Sequence, residues 1–196
     1  MFRSYFHVET SLSQRTLNGY QVTLRPVLHS DLETLRAWRN SPEVSEHMLS
    51  QSTINQEQQL AWFKKVQRDP SQAHFIISYR GEDIGSSNIK SRLAGETLEQ
   101  ARVIEPGLYI ADPRYRGNIL AFSPTLLIND FCFETLGCKK LVAVVKSTNQ
   151  AALKYNQKLG YKVVKQGELI EIELNFEDYQ QHSKVLKRLL SRERTR

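Results

Sequence analysis

Only two cysteines occur in the 196 residues, Cys132 and Cys138. Two thiols six positions apart supply neither a disulfide framework nor a complete four-ligand zinc site, so both read as reduced and structural. No window approaches the roughly 20 apolar residues that a membrane span needs. The opening "MFRSYFHVETSLSQ" carries polar and charged residues where a secretory signal has its apolar core. A cytoplasmic protein is expected, with no metal and no membrane partner. Internal repeats and low-complexity linkers are missing as well, so nothing divides the chain into modules. Over most of the length basic and acidic residues nearly balance. Of the net charge of +6, residues 184–196 ("KVLKRLLSRERTR") contribute +5 through six Lys or Arg and one Glu, leaving +1 for residues 1–183. A nucleic-acid-binding fold spreads basic residues over its main face. Here the basicity is terminal, and no nucleic-acid partner is expected.

Apolar residues make up 40% and charged residues 24%, the composition of a globular domain with a sizeable core. "GYQVTLRP" (19–26) alternates Tyr20, Val22 and Leu24 on one face and ends at Pro26, which predicts a strand. "SDLETLRAWRN" (30–40) predicts a helix with Leu32, Leu35 and Trp38 on one stripe. "NQEQQLAWFKKVQRD" (55–69) predicts another, with Leu60, Phe63 and Val66 inward. "HFIISYRGEDIGSSNI" (74–89) reads as a hairpin turning near "RGED". "ARVIEPGLYIAD" (101–112) reads as a strand interrupted by Pro106-Gly107, a pattern suited to an edge, a bulge or a splay. "PTLLINDFCFETLG" (124–137) is a helix that Ser123 can cap and Gly137 can stop. "KLVAVVK" (140–146) is an apolar run expected to be buried on both faces. A helix over 148–160, two strands about Gly167 and a basic terminal helix complete a mixed α/β order.

"DPRYRGNILA" (112–121) lies between the strand ending "GLYIA" and the helix. A strand-to-helix turn presents unpaired N–H groups and the positive end of a helix dipole, where anions settle. Two readings fit: a phosphate cradle, or a surface turn with two solvated arginines. With one glycine, Gly117, the loop alone favours the surface turn.

The next strand ends in "STNQAALKYNQKLGYKVV", a polar terminus, a small-residue helix, "KLGY" and a strand. Together the two segments resemble the GCN5-related N-acetyltransferase (GNAT) family, in which a loop of the form R/Q-x-x-G-x-G/A holds the pyrophosphate of acetyl-CoA. "RGNILA" sets Arg116 at the first motif position and Ala121 at the last, with Ile119 in place of the middle glycine. "LRP…SDLETLRAWRNSPEV" and "QQLAWFKKV" resemble the opening of amino-sugar and ribosomal-protein acetyltransferases of the family, and the likeness spans roughly residues 20–176. It implies a mixed, partly antiparallel sheet with a central splay, flanked by helices. Residues 1–177 would form a single acetyltransferase domain and 178–196 a basic helical tail. Ile119 donates its amide as well as glycine does wherever its φ is negative.

The resemblance also implies a site. Acetyl-CoA would be held by Leu108, Tyr109 and Ile110 of the splayed strand, by Arg116, Gly117, Asn118, Ile119, Leu120 and Ala121 of the loop, and by Asn149, Ala152 and Asn156. Relatives carry a tyrosine at the position of Asn156, which is here the third catalytic candidate, able to hydrogen-bond CoA or the leaving thiolate. Tyr155 is one residue earlier and so turned by about 100° on a helix, which assigns it to packing. Glu105 and His74 are the candidate bases, His because it titrates near neutrality. Trp38, Arg39 and Asn40, resembling the "W-R-N" of sugar-nucleotide acetyltransferases, and Tyr79 are the candidate acceptor contacts. The expected reaction is acetyl transfer to a primary amine, foremost that of a nucleotide-linked amino sugar. A RimJ/RimL-like protein N-terminal acetyltransferase and a non-catalytic CoA-binding module are the alternatives, and a homodimer is compatible with the chain.

Overall fold

A computed structural model describes residues 14–191. Its frame is one eight-stranded sheet in the order β1-β2-β3-β4-β5-β6-β8-β7. The first hairpin joins β1 (Leu17–Gly19) to β2 (Val22–Pro26), and here the structure departs from the sequence expectation: Tyr20 and Gln21 form the turn, both at positive φ (50° and 68°). Left-handed backbone costs a side-chain-bearing residue roughly 1–2 kcal/mol, and both side chains are tied to distant elements. The Tyr20 hydroxyl donates to Asp130, and Gln21 Nε2 donates to the Leu190 carbonyl at 3.0 Å.

Strands β3 (Gln72–Tyr79) and β4 (Glu82–Ser91) turn at Arg80-Gly81, as "RGED" suggested, and β5 (Val103–Ile110) extends the antiparallel run. Helices α1 (Leu32–Asn40), α2 (Pro42–Ser45) and α3 (Gln56–Val66) follow β2. They cover one sheet face, with Trp38 edge-on to Tyr109 and Trp62 edge-on to His74. The opposite face carries the larger core, in which Leu24, Phe75, Ile77, Ile89 and Ile104 pack with Leu126 and Ile128 of α4 (Ser123–Asp130).

Beyond β5 lie β6 (Lys140–Lys146), α5 (Gln150–Lys158), β7 (Lys162–Lys165) and β8 (Leu169–Asn175). Strand β6 was expected to be buried on both faces. Leu141 and Val145 are buried, but Val142 and Val144 on the other side are only half-buried. The α1–α3 layer packs over the β3–β5 half of the sheet, so β6 has a helical roof on one face only. Ser123 does not cap α4 either. Its residue is already helical, its Oγ is buried without a partner, and Asn118 caps the preceding 3-10 turn by accepting from the Leu120 amide. Both cysteines are buried and free, and burial pushes the Cys138 thiol up to about 11.

The C-terminal helix α6 (Phe176–Leu190) is packed against the domain over its length, with Tyr179, Ser183 and Leu190 buried. The Tyr179 hydroxyl meets Asp130 at 2.6 Å and the Leu126 carbonyl at 3.0 Å, and Lys187 Nζ lies 2.6 Å from Asp130. Asp130 thus joins the β1–β2 turn, α4 and α6. The expected boundary at 177/178 falls inside this helix. A chain ending at residue 177 should therefore show no cooperative thermal transition. Tyr179→Phe, which removes only the hydroxyl, should lower stability by about 1–3 kcal/mol, read as a fall in Tm.

Candidate active site

Strand β5 pairs with β6 in parallel at two positions only, Val103↔Lys140 and Ile104↔Leu141. Past Ile104 the strands diverge, while β5 stays paired to β4 through Gly85↔Ile110. Pro106 stands two residues beyond the last pair and has no N–H with which to resume a ladder. Two glycines let β4 and β5 approach closely at this point. A Cβ at Gly85 would lie 2.2 Å from the Tyr109 carbonyl oxygen, and one at Gly107 would lie 2.6 Å from Asn88 Oδ1. The β6-facing edge of Leu108, Tyr109 and Ile110 therefore opens into a cleft.

The loop after β5 borders that cleft. Arg114 is committed to ion pairs with Asp112 and Glu82, both at 2.6 Å. Arg116 folds back on the strand it follows, donating from Nε to the Ile110 carbonyl at 2.8 Å and from Nη2 to the Ala111 carbonyl. Gly117 has φ +71° with open space around it. Asn118 takes the Leu120 amide at 2.9 Å and the Ala121 amide bonds to the Asn118 carbonyl at 3.2 Å. The amides of Gly117, Asn118 and Ile119 have no acceptor among the described residues. Consecutive unpaired amides ahead of a helix suit a phosphate. Leu120 and Ala121, expected to share that task, spend their amides within the turn. Ile119 needs no left-handed backbone and the residue is 43% exposed, so the missing glycine does not close the loop.

Helix α5 supports the loop from behind. Asn149 caps it, accepting from the Ala152 amide at 3.0 Å, and Asn156 Nδ2 donates to the Ala152 carbonyl at 2.9 Å. Tyr155 stacks on Phe122 at 4.4 Å, and its hydroxyl lies 2.5 Å from Thr125 Oγ1 and 2.9 Å from the Ala121 carbonyl. Burial holds its pKa well above the usual phenol range. Tyr155 packs, as its position predicted, and fixes the C-terminal end of the loop.

The acceptor-side candidates are only partly brought together. Trp38, Arg39 and Tyr109 meet on the face covered by α1–α3, and burial pushes the Tyr109 hydroxyl up to about 12. Asn40 is a clamp: its amide donates to the Ile54 carbonyl and accepts from the Ile54 amide, each at 2.8 Å. Tyr79 lies against the α4-side core, edge-on to Tyr115, on the face opposite Tyr109. Glu105 is held by Arg92 at 3.0 Å, and four residues of strand put it about 13 Å from Tyr109. His74 is paired through Asn88 to Gly107, bonds Gln72 at 2.8 Å and sits under Trp62. Burial, aided by Lys90, lowers its pKa to about 4, which makes it a weak base. Sequence reasoning missed the contact of Lys146, at the end of β6, whose Nζ donates to the Glu46 carbonyl at 3.2 Å. No local pattern signals a contact over 100 residues.

Residues 21–162 match the family model described as the acetyltransferase (GNAT) domain. The chain belongs to this family. This N-acetyltransferase also shares its fold with solved structures. FdhC, described as a nucleotide-linked sugar GNAT, aligns with a TM-score of 0.72 at 20% identity over 90% of this chain and 99% of that one. Campylobacter jejuni N-acetyltransferase PseH in complex with acetyl coenzyme A gives 0.59 at 21% identity over 79% and 99%. Vibrio cholerae spermidine N-acetyltransferase in complex with CoA and spermine gives 0.68 at 18% identity over 81% and 98%. No curated protein matches the sequence significantly.

Gly85→Ala in this acetyltransferase should destabilise by several kcal/mol, because its Cβ meets backbone that cannot move aside; denaturant unfolding reads this directly. The His74 pKa gives a pH dependence with a defined sign. Above the unfolded value of about 6.5 both states are neutral and stability is full. As pH falls from there to about 4 the unfolded state alone takes up the proton. Stability should drop by up to about 3 kcal/mol across that window, and His74→Gln should flatten the slope.

Proposed function

We propose that the protein transfers the acetyl group of acetyl-CoA to the primary amine of a nucleotide-linked amino sugar. The cofactor reading rests on the three consecutive open amides, Gly117, Asn118 and Ile119, at the mouth of the β5/β6 cleft. They would hold the pyrophosphate, with the Arg116 guanidinium adding positive charge. The pantetheine arm would run along the unpaired edge of Leu108, Tyr109 and Ile110, with Asn156 as a further contact. The acetyl carbonyl would then lie near Tyr109, where Trp38 and Arg39 border the cleft from the α1 side.

The chemistry is direct transfer. The neutral amine nitrogen attacks the thioester carbonyl carbon, a tetrahedral oxyanion forms, and the C–S bond breaks to release CoA thiolate. One proton leaves the nitrogen and one reaches the sulfur, which balances the reaction. Neither Glu105 nor His74 is placed or poised to take the first proton directly, so solvent in the cleft relays it. The likeness to FdhC, by its description a nucleotide-linked sugar GNAT, over 90% of the chain supports the amino-sugar acceptor.

Ile119 offers a clean test. It opens a 3-10 turn after an extended Asn118 (ψ 174°), a position that accepts proline without loss of a structural hydrogen bond. Ile119→Pro deletes one cradle amide. A charge-assisted bond of about 1.5–3 kcal/mol corresponds to roughly 10–100-fold weaker acetyl-CoA binding, with Tm in the absence of ligand nearly unchanged. Ile119→Gly, which keeps the amide, should stay within about threefold of the native affinity. Thermal unfolding with millimolar acetyl-CoA should raise Tm by mass action, and CoA release should depend on an amino-sugar nucleotide. No rise in Tm would overturn the cofactor reading. Turnover on free amines but not on amino-sugar nucleotides would overturn the acceptor.

A further inference from the structure

Gly85 on β4 and Gly107 on β5 are small for different reasons. Neither has a positive φ, so each is a matter of space. At Gly85 a Cβ would collide with the Tyr109 carbonyl and the Ile110 backbone. At Gly107 the three nearest atoms all belong to the Asn88 side chain, with Oδ1 at 2.6 Å and Nδ2 at 3.8 Å from the Cβ position. The Asn88 carboxamide therefore lies in the space that the missing side chain leaves, with its oxygen turned toward β5. Register puts Asn88 between His74 and Gly107 on the sheet face covered by α1–α3. Tyr109 stands two residues past Gly107 on that face, about 7 Å along the strand. The other polar side chains around Asn88 are spent. Ser86 donates to the Phe75 carbonyl at 3.0 Å, Ser87 to the Gly107 carbonyl at 3.2 Å, and His74 bonds Gln72 at 2.8 Å. Asn88 is half-buried and its amide has no hydrogen-bond partner among the described residues. A carboxamide carries an acceptor oxygen and two donor hydrogens, and both ends stay available beside the open part of β5.

We infer that Asn88 positions the acceptor amine: its Oδ1 accepts one N–H of the neutral amine and turns the nitrogen lone pair toward the thioester carbonyl carbon beside Tyr109. The inference rests on the acetyltransferase reading. Attack requires an uncharged nitrogen. A carboxylate at this place would favour the ammonium form and raise the pKa of the amine, whereas an amide oxygen holds an N–H without supplying a counter-charge. The charged groups around the site do not reverse that preference. Lys90 follows on β4 close enough to act on His74, and Arg39 acts on Tyr109 from α1. Glu105 is paired with Arg92, and Asp69, beyond α3, accepts from Ser71 and Gln72. His74 is neutral above about pH 4. Asn88 itself exchanges no proton. The proton of the amine passes to solvent, and the C–N bond forms and the C–S bond breaks as in the direct transfer above. Orientation carries weight in such a step, since a misplacement of about 1 Å can cost roughly a hundredfold in rate.

Steady-state kinetics of the full chain test it. The probes are uridine-diphosphate amino sugars that differ in the ring position of the amine, with the one acetylated fastest carried forward. Asn88→Ala should lower kcat/KM at least tenfold. Its acetyl-CoA affinity, read from the ligand-induced rise in Tm, should stay within about threefold of native, which also shows that the variant is folded. Asn88→Asp keeps the shape and adds the charge. The kcat profile reports the bound complex, and its rising limb should move to higher pH, a displacement that a packing role would not produce. Gly107→Ala should push the carboxamide aside and reproduce the Asn88→Ala loss, and the double variant should be no slower than the slower single one. Native kcat/KM in Asn88→Ala, an unmoved limb in Asn88→Asp, or additive losses in the double variant would each overturn the inference and leave the acetyltransferase reading standing. No turnover of any probe by a native chain that binds acetyl-CoA would overturn it together with the amino-sugar reading. Failure to bind acetyl-CoA would overturn the cofactor reading as well.

Discussion

Parallel pairing between β5 and β6 lasts for two residues, and the arrangement of the site depends on that short length. A strand released from its neighbour on one side leaves backbone N–H and C=O groups with nothing to bond. An extended ligand with its own amides can fill that edge. The divergence survives because β5 is held firmly on its other side. Seven register pairs link it to β4, and Gly85 and Gly107 permit an approach that any side chain would obstruct. One edge is closed by small residues so that the other can stay open.

The loop that follows is organised by its polar side chains more than by glycine. Asp112 and Asn118 each cap a short 3-10 turn, and Arg116 ties the loop's middle to the end of β5. Tyr155 holds its far end through the Ala121 carbonyl. With these constraints the three amides from 117 to 119 face outward and a single positive-φ glycine suffices. Ile119 sits where a glycine stands in the family motif because its backbone never enters the left-handed region.

Charge is distributed with similar economy. Arg25, Arg36, Arg92 and Arg114 are neutralised by carboxylates, whereas Arg39 and Arg116 beside the cleft bond to backbone carbonyls. Residues 184–190, the described start of the basic C-terminal segment, belong to a helix that packs through Tyr179, Ser183 and Leu190. Lys187 of that segment is spent on Asp130. Net charge located along a sequence therefore said little about the electrostatics of the site.

Periodicity and punctuation in the sequence determined most elements: the 80–81 turn, the stripe of Leu32, Leu35 and Trp38, the break at Pro106-Gly107, and the packing role of Tyr155. These follow from rules acting over a few residues, where alternation, helical phase and backbone sterics are all written locally. The motif spacing likewise singled out the loop that carries the three open amides. The tertiary structure decided the rest. It showed that β6 is roofed on one face, that Tyr79 lies on the sheet face opposite Tyr109, and that Glu105 stands four residues back along β5 from Tyr109, paired with Arg92. It also showed that Asn40 is a clamp, that Lys146 reaches Glu46, and that Arg39 keeps a buried donor without a partner among the described residues. Each of these depends on which elements stack on which face and on what lies opposite across a cleft. Such placements arise from packing between residues tens to a hundred positions apart, and no local pattern in the chain encodes them.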